Sequence, residues 1–211
     1  SQESHYYCVA HRRDLSGTLL VDDFENFPFN RLGLPVTSTN TLLFIKGACY
    51  DWPFPVPQPI PSITNLVTIL PASGTATISM PLGTNVSSLD IGPRQKLQFR
   101  IKNHDIHGAG DNIGWYFEGT ITLSDAQGRS SSLDLIDLLP ANGDHPQSVP
   151  AGSIVPLKFQ RFMQIAIPIE QFLAVEPLLD TSILLSIDWE FTTDGTAPFD
   201  IRLGFDDIVF E

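Results

Sequence analysis

Apolar and polar positions alternate with a period of two along much of this chain, the pattern of strands with one buried face. Residues 96–102 are the cleanest case, with Leu97, Phe99 and Ile101 on one side and Lys96, Gln98, Arg100 and Lys102 on the other. Residues 113–124 place Trp115, Phe117, Ile121 and Leu123 inward and Tyr116, Glu118, Thr120 and Thr122 outward. The same rule predicts strands over 19–24, 41–46, 66–70, 75–80, 131–138, 162–167, 183–191 and 199–210. A hairpin is expected between 66–70 and 75–80 around Pro71-Ala-Ser-Gly74, and Asp125-Ala-Gln-Gly128 turns the chain into 131–138. Residues 51–61, D-W-P-F-P-V-P-Q-P-I-P, carry five prolines, which lack the donors of an interior strand and predict an extended surface loop. Residues 1–18 read as a polar arm, 142–156 as a loop and 169–178 as one short helical turn.

About ten strands with no long helix and no linker predict a single all-β domain over 1–211, an antiparallel two-sheet β-sandwich of jelly-roll type. Such folds bring the terminal strands together. That juxtaposition matters because both ends break their own alternation with acid. Phe199, Ile201, Leu203 and Phe205 share a face whose next position is Asp207, whereas Asp206 falls outward with Arg202. At the other end Leu19 and Val21 share a face with Asp23 and Glu25. An inward carboxylate is costly unless a positive charge meets it, and basic residues are sparse nearby. Up to four converging acids therefore predict a hard cation with oxygen ligands, most simply calcium.

Composition narrows the partners. Across 211 residues, 42% are hydrophobic and 17% charged, so the chain is globular. A formal charge of −12 disfavours nucleic acid and anionic membrane surfaces, and no apolar run is long enough for a membrane span. The sequence opens at Ser1 without a signal peptide, as a processed or excised segment would. Cys8 and Cys49 are the two cysteines. In an oxidising compartment they would tie the N-terminal arm to the loop near Tyr50; two free thiols are the alternative. Asn85-Val86-Ser87 is an N-glycosylation sequon.

Three passages, D-D-F-E at residues 22–25, F-M-Q-I-A-I-P-I-E-Q-F at 162–172 and G-F-D-D-I-V-F at 204–210, resemble the calcium-containing β-jelly-roll carbohydrate-binding modules of polysaccharide-degrading enzymes, the galactose-binding-like group. They cover only about a tenth of the chain, but their order and spacing span nearly all of it. The resemblance implies a structural calcium held from the two ends by Asp23, Glu25 and Asp207, with Asp206 as an alternate. It also implies a secreted protein, extracellular or periplasmic, that binds polysaccharide or oligosaccharide without catalysis beside an attached or partner carbohydrate-active enzyme. The long segment 26–61 departs from the family pattern.

Sugar recognition takes an aromatic face for ring C–H groups and polar side chains for hydroxyls. The outward rows Gln98, Arg100, Lys102 and Tyr116, Glu118, Thr120 are expected to supply both on neighbouring strands, with Asp188, Glu190 and Arg202 extending the face. A solvated sheet surface is the plainer reading of those rows. Trp52, in the proline-rich loop, is the loop-borne stacking candidate, while Trp115 and Trp189 have core parity. His104, Asp105, His107 and Asp111 gather in a glycine-rich loop that fits no standard zinc spacing. No nucleophile–base motif or phosphate loop occurs. Asp188 and Glu190 form a carboxylate pair of the kind a glycosidase needs, but among 24 acids such pairs arise by chance. The alternatives to a binding module are a jelly-roll polysaccharide lyase or hydrolase, and a cell-surface adhesion or assembly module.

Overall fold

A computed structural model describes residues 18–24, 26, 28–38, 42–47, 63–103, 117–135, 163–195 and 200–211. The described strands are β1 (Leu19–Asp22), β2 (Thr37–Ser38), β3 (Leu42–Gly47), β4 (Ile63–Leu70), β5 (Ser73–Pro81), β6 (Lys96–Asn103), β7 (Phe117–Asp125), β8 (Ser130–Asp134), β9 (Met163–Pro168), β10 (Leu184–Asp194) and β11 (Ile201–Phe210), with one helix, α1 (Ile169–Val175). They form two antiparallel sheets, one ordered β3-β4-β11-β6-β9 with β1 also on β11, the other β2-β5-β10-β7-β8. The β-sandwich expected from the alternation is the observed architecture. The first and last strands do pair, Leu19 opposite Phe210 and Leu20 opposite Val209.

The sheets meet through an aromatic seam. Trp189 of β10 meets Phe99 of β6 edge-on at 5.5 Å and Phe205 of β11 at 6.1 Å. Phe191 bridges Phe205 at 5.7 Å and Phe117 at 5.8 Å. All five rings are buried, and each contributes about 1.5–3 kcal/mol through removal from water. Trp189 thus takes the core place its parity predicted, and its indole N–H has no hydrogen-bond partner there. Trp115, with residues 104–116, lies outside the described residues, as do residues 1–17 of the N-terminal arm, both cysteines and the proline-rich loop.

One expectation fails. Residues 66–70 and 75–80 are consecutive strands but not a hairpin: β4 pairs with β3 and β11 in one sheet, β5 with β2 and β10 in the other. The chain changes sheets at Pro71, which has no N–H to continue a ladder. Thr193 holds the corner, its hydroxyl donating to the Pro71 carbonyl (2.9 Å) and accepting from the Gly74 amide (2.9 Å). Gly74 sits at φ +146, a conformation that favours glycine.

The β7–β8 hairpin does form where expected, around Asp125. Its Oδ1 accepts from the amides of Gln127 (2.8 Å) and Arg129 (3.1 Å), and its Oδ2 from the Arg129 Nε (2.6 Å) and the Asp180 amide (2.9 Å). One carboxylate therefore shapes the turn and pins the approach to β10. The short helix begins at Pro168, buries Ile169 and Phe172, and docks on β8 through the Ser131 hydroxyl donating to the Phe172 carbonyl (2.7 Å).

Burial pushes the Asp125 carboxyl up, but its donors outweigh that and hold it below 3.8. Its stabilising contribution is present above that value and lost as the pH falls through the lowered folded value. Asp125→Ala should cost about 3 kcal/mol at neutral pH, since buried donors lose a charged acceptor. In urea titrations the gap between wild type and variant should close as the pH falls below 3.8; a gap that stays constant with pH contradicts this account.

Candidate functional site

Strict alternation would send Asp207 into the core. Instead, β11 bulges: Asp206 faces Arg100 and Val209 faces Gln98, so Asp207 and Ile208 together oppose the single Phe99. Asp207 adopts φ +46, a left-handed conformation that aspartate tolerates better than most residues. The extra residue resets the side-chain parity. Ile208 and Phe210 join the central core, whereas Val209 is buried but lies outside that cluster. Asp207 turns to the side of the sheet that carries Arg100, away from Leu97, Phe99 and Ile101. There the Arg100 Nη1 meets the Asp207 Oδ2 at 3.0 Å. The expectation of Asp207 inward is thereby corrected; Asp206 stands opposite Arg100 on the outward side that its parity predicted, is buried there, and accepts from the Asp207 amide (2.9 Å).

At the opposite end Asp23 is gripped by both sides of the Arg31 fork, at 2.7 and 2.6 Å. Basic residues are therefore not sparse at this junction, and two of the four expected metal ligands have arginine partners. Glu25 lies outside the described residues. Among the described residues no three His, Cys, Asp or Glu side chains gather in a group that could hold a metal. The junction nevertheless contains more acid than base. Asp22 is buried, and desolvation pushes its carboxyl up to about 7 against the Phe24 amide that donates to it (2.8 Å). Asp206 is pushed up by burial and by the neighbouring Asp207 charge.

The expected sugar-contact residues divide between the two outer faces of the sandwich. Gln98 and Arg100 stand on β6 in one sheet and Glu118 on β7 in the other, so their strands are not neighbours. Gln98 and Arg100 are also buried rather than solvated, at 3% and 8% exposure. Gln98 accepts from the Gln164 Nε2 at 2.6 Å, and Arg100 pairs with Asp207. Arg202, on β11, belongs to the same sheet as Arg100. Tyr116 and Trp52, like His104, Asp105, His107 and Asp111, lie outside the described residues.

Glu118, Asp188 and Glu190 do come together. Across β5, β10, β7 and β8 the register builds rows on the outer face: Ser79, Asp188, Thr122, Ser132; then Thr77, Glu190, Thr120, Asp134; then Thr75, Thr192, Glu118. The Ser186 hydroxyl donates to the Asp188 Oδ2 (2.6 Å), and Thr122 and Ser132 share a hydrogen bond across strands (2.7 Å). No aromatic or basic side chain stands in these rows among the described residues. The hydroxyl members Thr75, Thr77, Ser79, Ser132 and Thr192 were missed as candidates. The signal for the β5 members is plain, because Thr75, Thr77 and Ser79 alternate with buried Ala76, Ile78 and Met80.

No protein-family model matches the sequence, and no curated protein matches it. Among solved structures the chain is similar to the family 11 carbohydrate-binding module of the cellulosomal cellulase Lic26A-Cel5E of Clostridium thermocellum, at 14% identity and a TM-score of 0.51 over 92% of this chain and 94% of that one. A family 30 carbohydrate-binding module matches at 14% identity and a TM-score of 0.49, over 81% of this chain and 73% of that one. The family 30 module of the cellulase Cel9D-Cel44B, also from Clostridium thermocellum, matches at 12% identity and a TM-score of 0.46, over 84% and 98%. The first of these establishes a shared β-sandwich fold.

Arg100→Met should destabilise the protein by about 3–5 kcal/mol, because it strands a buried carboxylate. Adding Asp207→Asn should recover a large part of that loss in urea unfolding. Equal losses in the single and double variants would show that the pair is not coupled.

Proposed function

We propose that this chain is a secreted, non-catalytic carbohydrate-binding module that lays a polysaccharide or oligosaccharide along the outer face of its five-stranded sheet, close to an attached or partner carbohydrate-active enzyme. The observation that carries this reading is the set of in-register rows around Asp188 and Glu190. Strands ~4.8 Å apart with same-face residues at twice the rise per residue offer acceptors and hydroxyls at the scale of a sugar ring. Carboxylates accept from sugar hydroxyls strongly, and serine and threonine both donate and accept. The Ser186 bond to Asp188 preorients one acceptor before a ligand arrives. The fold it shares belongs, in the family 11 module, to a binding domain of a cellulase. Tyr116 and Trp52 are proposed as the ring-stacking partners. A lyase or hydrolase remains the second class, distinguished by release of product.

We further propose that a structural calcium joins the chain ends. The donor chemistry fits: every candidate is a hard carboxylate oxygen, and the acids at the junction outnumber Arg31 and Arg100. Asp207 is committed to Arg100, so the ligands would be Asp206, Asp23 through its remaining lone pairs, and Glu25. Such an ion would neutralise the junction and tie the terminal strands.

Titration calorimetry of the chain against soluble glucans, xylans and mannans should find a binder, and Glu190→Ala should weaken it at least about tenfold, the loss of one charged hydrogen bond. An unchanged isotherm removes the ligand from this face, and hydrolysis or elimination products would favour the enzyme. For the ion, excess chelator should lower the melting temperature by about 5 °C, and Asp206→Asn should abolish that response. Identical melts with and without chelator, and no bound metal by elemental analysis, would sink the calcium proposal.

A further inference from the structure

Between β5 and β6 the chain makes a two-residue hairpin that neither the sandwich nor the proposed sugar face uses. Thr84 and Ser87 pair as an isolated bridge, the Thr84 amide donating to the Ser87 carbonyl (2.6 Å) and the Ser87 amide to the Thr84 carbonyl (3.2 Å). Their hydroxyls share a further hydrogen bond (2.9 Å), and the Val86 amide donates to the Thr84 hydroxyl (3.3 Å). The hairpin is anchored at its base. Leu82 donates to the Leu185 carbonyl (2.7 Å), and Leu89 and Leu184 exchange both backbone bonds at 2.9 Å. Gly83 is where the tip folds back, since a Cβ there would sit 2.8 Å from the Ser88 Cα. Rigid at its root, the turn holds residues 84–88 in solvent, all exposed, with Val86 at 95%.

The two tip residues are Asn85 and Val86, and with Ser87 they are the chain's single N-x-[ST] triplet. We propose that Asn85 is an N-linked glycosylation site. An acceptor sequon needs an accessible amide and a hydroxyl two residues on. Here the amide occupies a turn corner beyond the end of β5, where the tip's backbone bonds are internal, so an added glycan breaks no ladder and displaces no core side chain. Val86, an apolar residue almost fully in water, offers a surface for the first sugar to cover.

In the transfer the Asn85 Nδ2 bonds to C1 of an oligosaccharide carried on a polyprenyl pyrophosphate. The C1–O bond to the pyrophosphate breaks, the polyprenyl pyrophosphate leaves with the electron pair, and the displaced amide proton passes to a base on the transferase. The inference is independent of the sugar-binding reading and requires only passage through a secretory compartment with such a transferase.

The test is secretion of chain 1–211 from a eukaryotic host behind a cleavable leader, with intact-mass analysis and peptide mapping before and after treatment with a peptide N-glycosidase. The expected result is a glycan on Asn85, with that residue converted to aspartate on its removal. Ser87→Ala and Asn85→Gln should both abolish the added mass and leave the melting temperature unchanged, since neither touches the core. Secreted, folded protein carrying an unmodified Asn85, while a co-secreted reporter glycoprotein is modified, would overturn the proposal. So would retention of the added mass in Asn85→Gln.

Discussion

The contact between the Arg100 guanidinium and the Asp207 carboxylate is the constraint on which the junction of the chain ends depends. Both groups are buried, and a charge out of water is tolerated only beside its opposite. Meeting that condition requires the bulge that lets Asp207 and Ile208 share one partner residue. The bulge in turn sets which of the last residues face the core. Without it, Ile208 and Phe210 would exchange faces with Val209, and the sheet would lose two of its core side chains. Backbone strain at one aspartate is thus offset by an ion pair and by correct burial of the strand that follows.

From that junction the division of labour across the sandwich follows. The aromatic seam of Trp189, Phe99, Phe205, Phe191 and Phe117 fixes the two sheets face to face, so chemistry must reside on their outer surfaces. One outer surface is occupied around β6 and β11 by buried polar groups bound to each other: Arg100 with Asp207, and Gln98 with Gln164. Those side chains are committed to structure. The other surface carries threonine, serine, aspartate and glutamate in half-buried to exposed rows on the side away from the core. The proposed ligand face is the one whose polar groups have least structural work.

Individual elements show why the sequence revealed some of this and not the rest. The strand of Leu97, Phe99 and Ile101 was legible because alternation is a local property, and so was the turn at Asp125-Ala-Gln-Gly128. The supposed hairpin of residues 66–80 was not. A short turn between two alternating runs looks the same whether the second run pairs with the first or crosses to another sheet, and only β10 and β11 distinguish the cases. Gln98 and Arg100 were misread for a related reason: period two says which side chains oppose the core, not whether the far face is covered. Arg31 gave no signal as the partner of Asp23, since nothing local relates a turn residue to a strand acid eight positions away. The triplet at Asn85 was visible in the sequence, but its place at a solvent-facing tip on an anchored root was not.

By itself the sequence determined the all-β class, the inward residues of most strands and the presence of acids near both ends, because each follows from short-range periodicity or from composition. Tertiary structure decided which strands share a sheet, which face of each sheet stays open, and how Asp207 is neutralised. These depend on pairings between residues far apart in the chain and on a single inserted residue that inverts a face. Neither leaves a trace in the local pattern of hydrophobic and polar positions.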